Sequence, residues 1–438
     1  MASAARQMSR SAARTYASVT TPAAQHHRVV IVGGGTGGVT VAAQLLRKQQ
    51  GEKADIAILD PAATHHYQPG WTLVGAGLKP LSAMHRPLPD IIPQGVKHYP
   101  LNVSSFNPEN NSIKTAEGVD VTYDYLVVAP GLETNFAGIS GLTEALQDPA
   151  TQVSSIYSDK TVEQVWKNIK SLKEGKAIFT QPAGIVKCAG APQKILWMAL
   201  SQWSKDGVRS NIDAAFATGA GAMFAVPKYA QALEDLRVQR HVEGLFQHNL
   251  VSVDAKSKVA TFKNLADGGK EVQREFDFLH VVPPQKPWDF VAKSPLADAA
   301  GWVDVDKSTT QHTKYSNVFS LGDASSMPNS KTAAAISSQA PVLVNNLLAT
   351  MSGKEKLNAQ YDGYASCPLL TGHNELMLCE FKYGGVPKET FSKYLGGQEK
   401  PRRLFYHLKK DLFPYVYWNN FVKGTWYGPR GLSAPKFD

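Results

Sequence analysis

Gly33, Gly35 and Gly38 follow the apolar run RVVIV without a gap and lead directly into the helical pattern TGGVTVAAQLLRK. This G-x-G-x-x-G turn constrains the fold more than any other feature of the chain. The first glycine permits a tight turn, the second lets backbone approach a pyrophosphate, and the third lets helix and strand pack closely. Gly34 and Gly37 complete the small-residue loop, and the helix start adds free N–H groups and a positive dipole end for phosphates. A second strand, ADIAILD, closes on Asp60, 22 residues after Gly38, where an acid accepts hydrogen bonds from a ribose. Strand, turn, helix and terminal acid agree in order and spacing, which predicts the βαβ opening of a Rossmann-like dinucleotide-binding domain.

The turn alone does not separate one dinucleotide from another. Further on, NVFSLGDASSMPNSKTAAAISSQA joins a small-residue strand end to Gly-Asp and then to a helix. That arrangement resembles the second flavin-contact motif of the two-dinucleotide-domain flavoproteins, which implies FAD as cofactor. The resemblance puts Asp323 on the ribityl chain. It also puts Lys331, Thr332, Ala333 and Ala334 at the start of a helix whose dipole stabilises an anionic reduced flavin.

The expected fold class is therefore α/β, with two Rossmann-like domains and a C-terminal membrane-interface segment. Residues 28–150 and 300–356 are assigned to the FAD-binding domain. GKAIFTQPAG, NIDAAFATGA and EFDFLHVVPP read as strands of an inserted second domain over 151–299, with helices at 161–173, 191–206 and 228–241. Residues 357–438 form a third segment, with strand-like ELMLCEFKY followed by an aromatic, basic stretch.

Charge and cysteine content narrow the class further. The formal charge is +9, but Arg6, Arg10 and Arg14 lie in an acid-free, Ser- and Ala-rich leader, and without them the body carries +6. Residues 1–27 have the composition of a mitochondrial transit peptide, so the basic balance is not read as a nucleic-acid-binding surface. No run approaches the roughly 18–20 apolar residues of a membrane-spanning helix. Cys188, Cys367 and Cys379 are the only cysteines, too few for a secreted disulfide framework, so a bridge among them would be redox-active rather than structural. No metal site is expected.

Five segments carry a closer resemblance: HYQPGWTLVGAG at 66–77, PAGIVKCAGAPQKI at 182–195, ADAAGWVDVDK at 297–307, GDASSMPNSKTAAA at 322–335 and YDGYASCPLLTGHN at 361–374. Together they span nearly the whole body, in family order, and the chain resembles the mitochondrial sulfide:quinone oxidoreductases. The resemblance implies that Cys188 and Cys367 are the redox-active pair and that Gln68 and Val103 are further FAD contacts. It implies hydrogen sulfide and ubiquinone as substrates, glutathione or sulfite as sulfur acceptor, and a peripheral position on the matrix side of the mitochondrial inner membrane.

The chemistry is consistent with those residues. A disulfide accepts a soft nucleophile by exchange, leaving a persulfide and a thiolate. Cys188 precedes Pro192 and the helical run QKILWMALSQW, where a helix N-terminus, Lys187 and Lys194 would lower its pKa. Cys367 is then the expected persulfide carrier, although sequence leaves the two roles interchangeable, and a disulfide or sulfur-extended bridge joins the pair in the resting enzyme. Cys379, inside the alternating ELMLCEF, reads as an inert buried thiol.

The rival reading is a type II NADH:quinone dehydrogenase, which shares fold and quinone. It calls for a second G-x-G-x-x-G in the inserted domain, where this chain has AIFTQPAGIVKCAG. Finally, residues 400–430 interleave nine aromatics with seven cations and one acid, Asp411. Such a composition suits docking on an anionic lipid surface.

Overall fold

The computed structural model describes residues 25–49 and 54–437. The apolar run that precedes the glycine turn becomes the centre of a seven-stranded sheet. β1 (Gln25–Val32) pairs in parallel with β2 (Ile56–Leu59) on one side and β6 (Asp120–Val128) on the other. Val29 to Val32 are all buried, as a strand covered on both faces requires. β3 (Lys97–Tyr99) extends the sheet beyond β2, while β4 (Val103–Asn107) and β5 (Ser112–Thr115) form an antiparallel flap on the N-terminal half of β6. α1 (Thr36–Lys48) fills the β1–β2 crossover, with Val39, Val41, Ala42 and Leu45 turned to the core.

The chain then builds a second sheet, all parallel, in the order β7 (Val153–Ser154), β14 (Phe278–His280), β8 (Gly175–Gln181), β9 (Ile212–Thr218), β10 (Val242–Phe246). Its helices are α2 (Val162–Ser171), α3 (Ala191–Lys205) and α4 (Pro227–Gln239). A three-stranded antiparallel sheet, β11 (His248–Asp254), β12 (Val259–Asn264) and β13 (Lys270–Glu275), stands between β10 and β14. Afterwards the chain returns to the first sheet. β15 (Val318–Ser320) pairs with the C-terminal half of β6, and α5 (Ala333–Met351) packs against α1.

The last segment is an antiparallel sheet, β16 (Ala365–Gly372), β17 (Glu375–Lys382) and β18 (Val386–Pro387), followed by a helical stretch. That stretch runs α6 (Arg403–His407), a π-helical turn (Leu408–Leu412), α7 (Phe413–Val416) and a second π-helical turn (Tyr417–Phe421). Pro414 has no N–H to give the ladder, and the wider turn sits directly before it. Among the described residues, no helix is long and apolar enough to cross a membrane.

One boundary moves. The leader expected over 1–27 lies outside the described residues as far as position 24, but Gln25, His26 and His27 are part of β1 and pair with Val121, Thr122 and Tyr123. Polar contacts, His26 Nδ1 to Thr122 Oγ1 at 2.9 Å among them, hold this end of the strand. An apolar pattern could not have revealed it.

Candidate active site

The N-termini of α1 and α5 converge on a cavity of about 570 Å³ between the two sheets and the C-terminal segment. Of the residues expected to bind the dinucleotide, Gly34, Gly35, Gly37, Asp60, Gln68, Asp323, Lys331, Thr332, Ala333 and Ala334 line it. Gly33 and Gly38 act behind the wall. Gly33 turns at φ +103°, where a Cβ would collide with the carbonyl of Ala129, and a Cβ on Gly38 would collide with the carbonyl of Gly33. The small-residue cradle and the helix N-terminus leave room and donors for a pyrophosphate, so these residues fit a bound dinucleotide.

The acids are held in two different ways. Asp60 accepts hydrogen bonds from the Gly34 N–H at 2.5 Å and the Ala62 N–H at 2.8 Å, so it shapes the glycine loop from inside the cavity wall. Burial raises the pKa of Asp323, against the pull of the nearby Lys331 and Lys187 charges. Lys331 donates to the carbonyls of Asp323 and Ser325 at 2.9 and 2.8 Å and lies over the Trp302 ring. Its burial lowers the ammonium pKa to about 8. Thr332 caps α5, accepting from the Ala335 N–H at 3.1 Å.

Val103 stands on β4, opposite Thr115, outside the walls of this cavity.

The two cysteines expected to cooperate do meet. Cys188 Sγ and Cys367 Sγ are 3.7 Å apart although 179 residues separate them in sequence. Cys188 opens onto the cavity, whereas Cys367 is 1% exposed behind it. Cys188 adopts φ +52°, a left-handed conformation that costs a non-glycine residue about 1–3 kcal/mol. Two backbone hydrogen bonds hold it there: its N–H donates to the Lys331 carbonyl at 2.7 Å, and its carbonyl accepts from the Ala191 N–H at 2.6 Å. The first of these fastens the cysteine loop to the start of α5. Gly190 makes the approach possible, since a Cβ there would collide with Cys367 Sγ.

The electrostatics divide the pair. The Cys188 pKa is pushed well below the usual thiol value, first by the hydrogen bond from Cys367 and then by the Lys194 and Lys409 charges, which outweigh burial. The Cys367 pKa is pushed well above it by the same hydrogen bond and by burial. Lys194, itself 1% exposed, donates to Cys188 Sγ at 3.2 Å. Lys187 does not take the role its position implied. Its Nζ donates to Gln68 Oε1 at 2.9 Å and lies near the Trp71 and Tyr157 rings. Cys379 faces Cys367 across β16 and β17 but is fully buried, and burial raises its pKa.

The C-terminal stretch is more embedded than its composition implied. Phe405, Tyr406, Tyr417 and Phe421 are buried, and Tyr415 is the one strongly exposed ring of the nine. The cations are not all at the surface either. Lys409 is 2% exposed, donates to the Pro69 carbonyl at 2.7 Å and lines the cavity. Burial and the neighbouring Lys194 lower its pKa to about 7. Sequence reasoning placed Lys409 and Tyr417 on a lipid-facing surface and passed over His65, Thr36 and Gly190. For the last three, no local pattern distinguishes them.

Residues 27–178 match the pyridine nucleotide-disulphide oxidoreductase family. The chain is 50% identical over 389 residues to the mitochondrial sulfide:quinone oxidoreductase of Schizosaccharomyces pombe, covering 87% of this chain and 84% of that protein. It is 42% identical to the mitochondrial enzyme of the same name from Mus musculus, over 90% of this chain and 85% of the relative. In structure it resembles the sulfide:quinone oxidoreductase of Aquifex aeolicus, with a TM-score of 0.74 and 19% identity, over 90% of this chain and 92% of the other.

Proposed function

From the premise that this chain belongs to the mitochondrial sulfide:quinone oxidoreductases, we propose that Cys188 and Cys367 carry its sulfide chemistry. The protein is a flavin-dependent enzyme that oxidises sulfide and reduces quinone. The observation that carries the assignment of residues is the 3.7 Å approach of the two sulfurs, with only Cys188 open to the dinucleotide cavity.

Hydrosulfide attacks the Cys188–Cys367 disulfide at Cys367, forming a Cys367 persulfide and releasing Cys188 as a thiolate. Lys194 holds that thiolate in its ionised form. An acceptor thiolate or sulfite then takes the outer sulfur, and Cys367 is left as a thiolate. As the disulfide re-forms, two electrons leave the pair. When bound, FAD would supply the two-electron acceptor between this pair and ubiquinone, whose reduction also takes up two protons. Gly34, Gly35 and Gly37 would hold its pyrophosphate, while Asp323 and the α5 N-terminus would hold the flavin end. Glutathione or sulfite is the sulfur acceptor, and the quinone enters from the mitochondrial inner membrane on the matrix side.

Anaerobic addition of sulfide to the purified protein tests this reading. The flavin absorbance is expected to bleach with sulfide and return with a short-chain ubiquinone, with no bleaching by NADH. Bleaching by NADH and none by sulfide would return the chain to the type II dehydrogenase reading. That reading finds no support in the second sheet, where the β8–α3 turn holds Cys188 instead of a glycine phosphate loop.

A further inference from the structure

The C-terminal stretch reaches back to the glycine loop through one unbroken line of hydrogen bonds. His65 Nδ1 lies 2.9 Å from the Gly34 carbonyl, and His65 Nε2 lies 2.7 Å from the Tyr417 hydroxyl. The same hydroxyl is 2.7 Å from Thr36 Oγ1. The direction of each bond follows from valence. A carbonyl only accepts, so Nδ1 carries the ring proton. Burial lowers the His65 pKa, the ring is neutral, and Nε2 accepts from the Tyr417 O–H. Tyr417 oxygen is then free to accept from the Thr36 hydroxyl.

Gly34 is thus gripped at both ends, its N–H by Asp60 and its carbonyl by His65, while Thr36 is gripped by its side chain. Tyr417 is 1% exposed and its ring lies 4.4 Å from that of Tyr67, so its hydroxyl has no freedom to wander. The next residues keep the stretch on α1. Thr40 Oγ1 donates to the Phe421 carbonyl at 3.4 Å and Arg47 Nε to the Lys423 carbonyl at 2.9 Å.

We infer that Tyr417 and His65 are positioning residues for the cofactor: they fix the Gly34–Thr36 loop in its phosphate-binding shape, which makes the C-terminal stretch part of the flavin site. The inference rests on the reading of that loop as the pyrophosphate site. It assigns a second task to a segment otherwise placed at the membrane and quinone.

The test measures flavin release from the purified holoenzyme, followed by the rise of free-flavin fluorescence on dilution. Tyr417→Phe removes one oxygen and keeps the ring, and release is expected to quicken about fivefold or more, the weight of one ordinary hydrogen bond. His65→Gln is measured alongside and provides the test if Tyr417→Phe does not fold. The double variant is expected to release flavin no faster than the quicker single variant, because both break one line. Release within twofold of the parent from a folded single variant overturns the inference, and so does a double variant in which the two effects multiply. Sulfide bleaching of the remaining bound flavin reports separately on the function proposed above. Failure there with quickened release would sink that reading and leave this one standing.

Discussion

Lys194 Nζ lies 3.2 Å from Cys188 Sγ, and both are held on the first turns of α3 and the loop before it. The buried ammonium is stabilised by the sulfur it faces: its pKa is raised by the Cys188 and Cys367 charges in spite of burial. Charge pairing of this kind favours the Cys188 thiolate and adds to the larger effect of the hydrogen bond from Cys367.

A pH dependence follows for the reduced enzyme. Because the Cys188 pKa is depressed, its thiolate persists as pH falls below the usual thiol range, while Cys367 and Cys379 stay protonated. Iodoacetamide at pH 6 is expected to label Cys188 alone, as read by peptide mass spectrometry. Lys194→Met removes the charge with little change of shape, so the Cys188 pKa rises and labelling at pH 6 falls, by about tenfold for each unit by which that pKa comes to exceed 6. Equal labelling of the parent and this variant would show that Lys194 does not set the ionisation.

The cysteines are expected to separate cleanly by substitution. Cys188→Ser and Cys367→Ser each remove one end of the exchange and should reduce sulfide-to-quinone turnover below detection. Cys379→Ser should keep turnover within about twofold. Its position is buried in the sheet, so a hydroxyl there would cost about 1–3 kcal/mol of stability without touching the chemistry. A fully active Cys367→Ser enzyme would refute the exchange mechanism.

Gly190 offers a test of spacing rather than of chemistry. Alanine would place a methyl group against Cys367 Sγ, and the overpacking is expected to cost about 1–3 kcal/mol and push the sulfurs apart. Turnover should fall at least tenfold while flavin content stays at the parent level, since Gly190 is absent from the cavity wall. Parent-like turnover would mean that the pair tolerates a wider gap than the structure gives it.

Much of this site was legible because its parts are local. The strand, turn and helix around Gly33–Gly38 depend on contacts within one βαβ unit, and the motif at Gly322–Asp323 likewise sits between one strand and one helix. Cys188 and Cys367 were paired by resemblance alone, because β8–α3 and β16 are brought together only by the packing of two sheets. His65 and Tyr417 lie 352 residues apart, and no periodicity connects them. The aromatic C-terminus was legible only in part, for a related reason. Rings that face lipid and rings that face a core have the same composition, and only their contacts separate Tyr417 from Tyr415.

Membrane docking, the last prediction, rests on the side chains of that stretch that the protein leaves uncovered. Leu404, Leu412 and Tyr415 are 52%, 42% and 64% exposed. They recur at helical spacing on α6, the first π-turn and α7, with Arg403 and Lys410 beside them. Apolar side chains with cationic neighbours suit the boundary of an anionic bilayer, each buried side chain adding about 1.5–3 kcal/mol and each surface cation about 1. Deleting the stretch would be a poor test. Gly424 packs on the backbone of Gln44 in α1, Gly428 on Ser337 in α5, and Tyr417 on the glycine loop, so truncation would strip support from the flavin site. The double variant Leu404→Ser, Tyr415→Ser spares Leu412, which also lines the cavity, and should leave flavin content and sulfide bleaching intact. Its sedimentation with cardiolipin-containing liposomes is expected to fall at least tenfold, and reduction of a long-tailed quinone should fall more than that of a short-tailed one. Undiminished liposome binding by this variant would place the anchor on another surface of the protein.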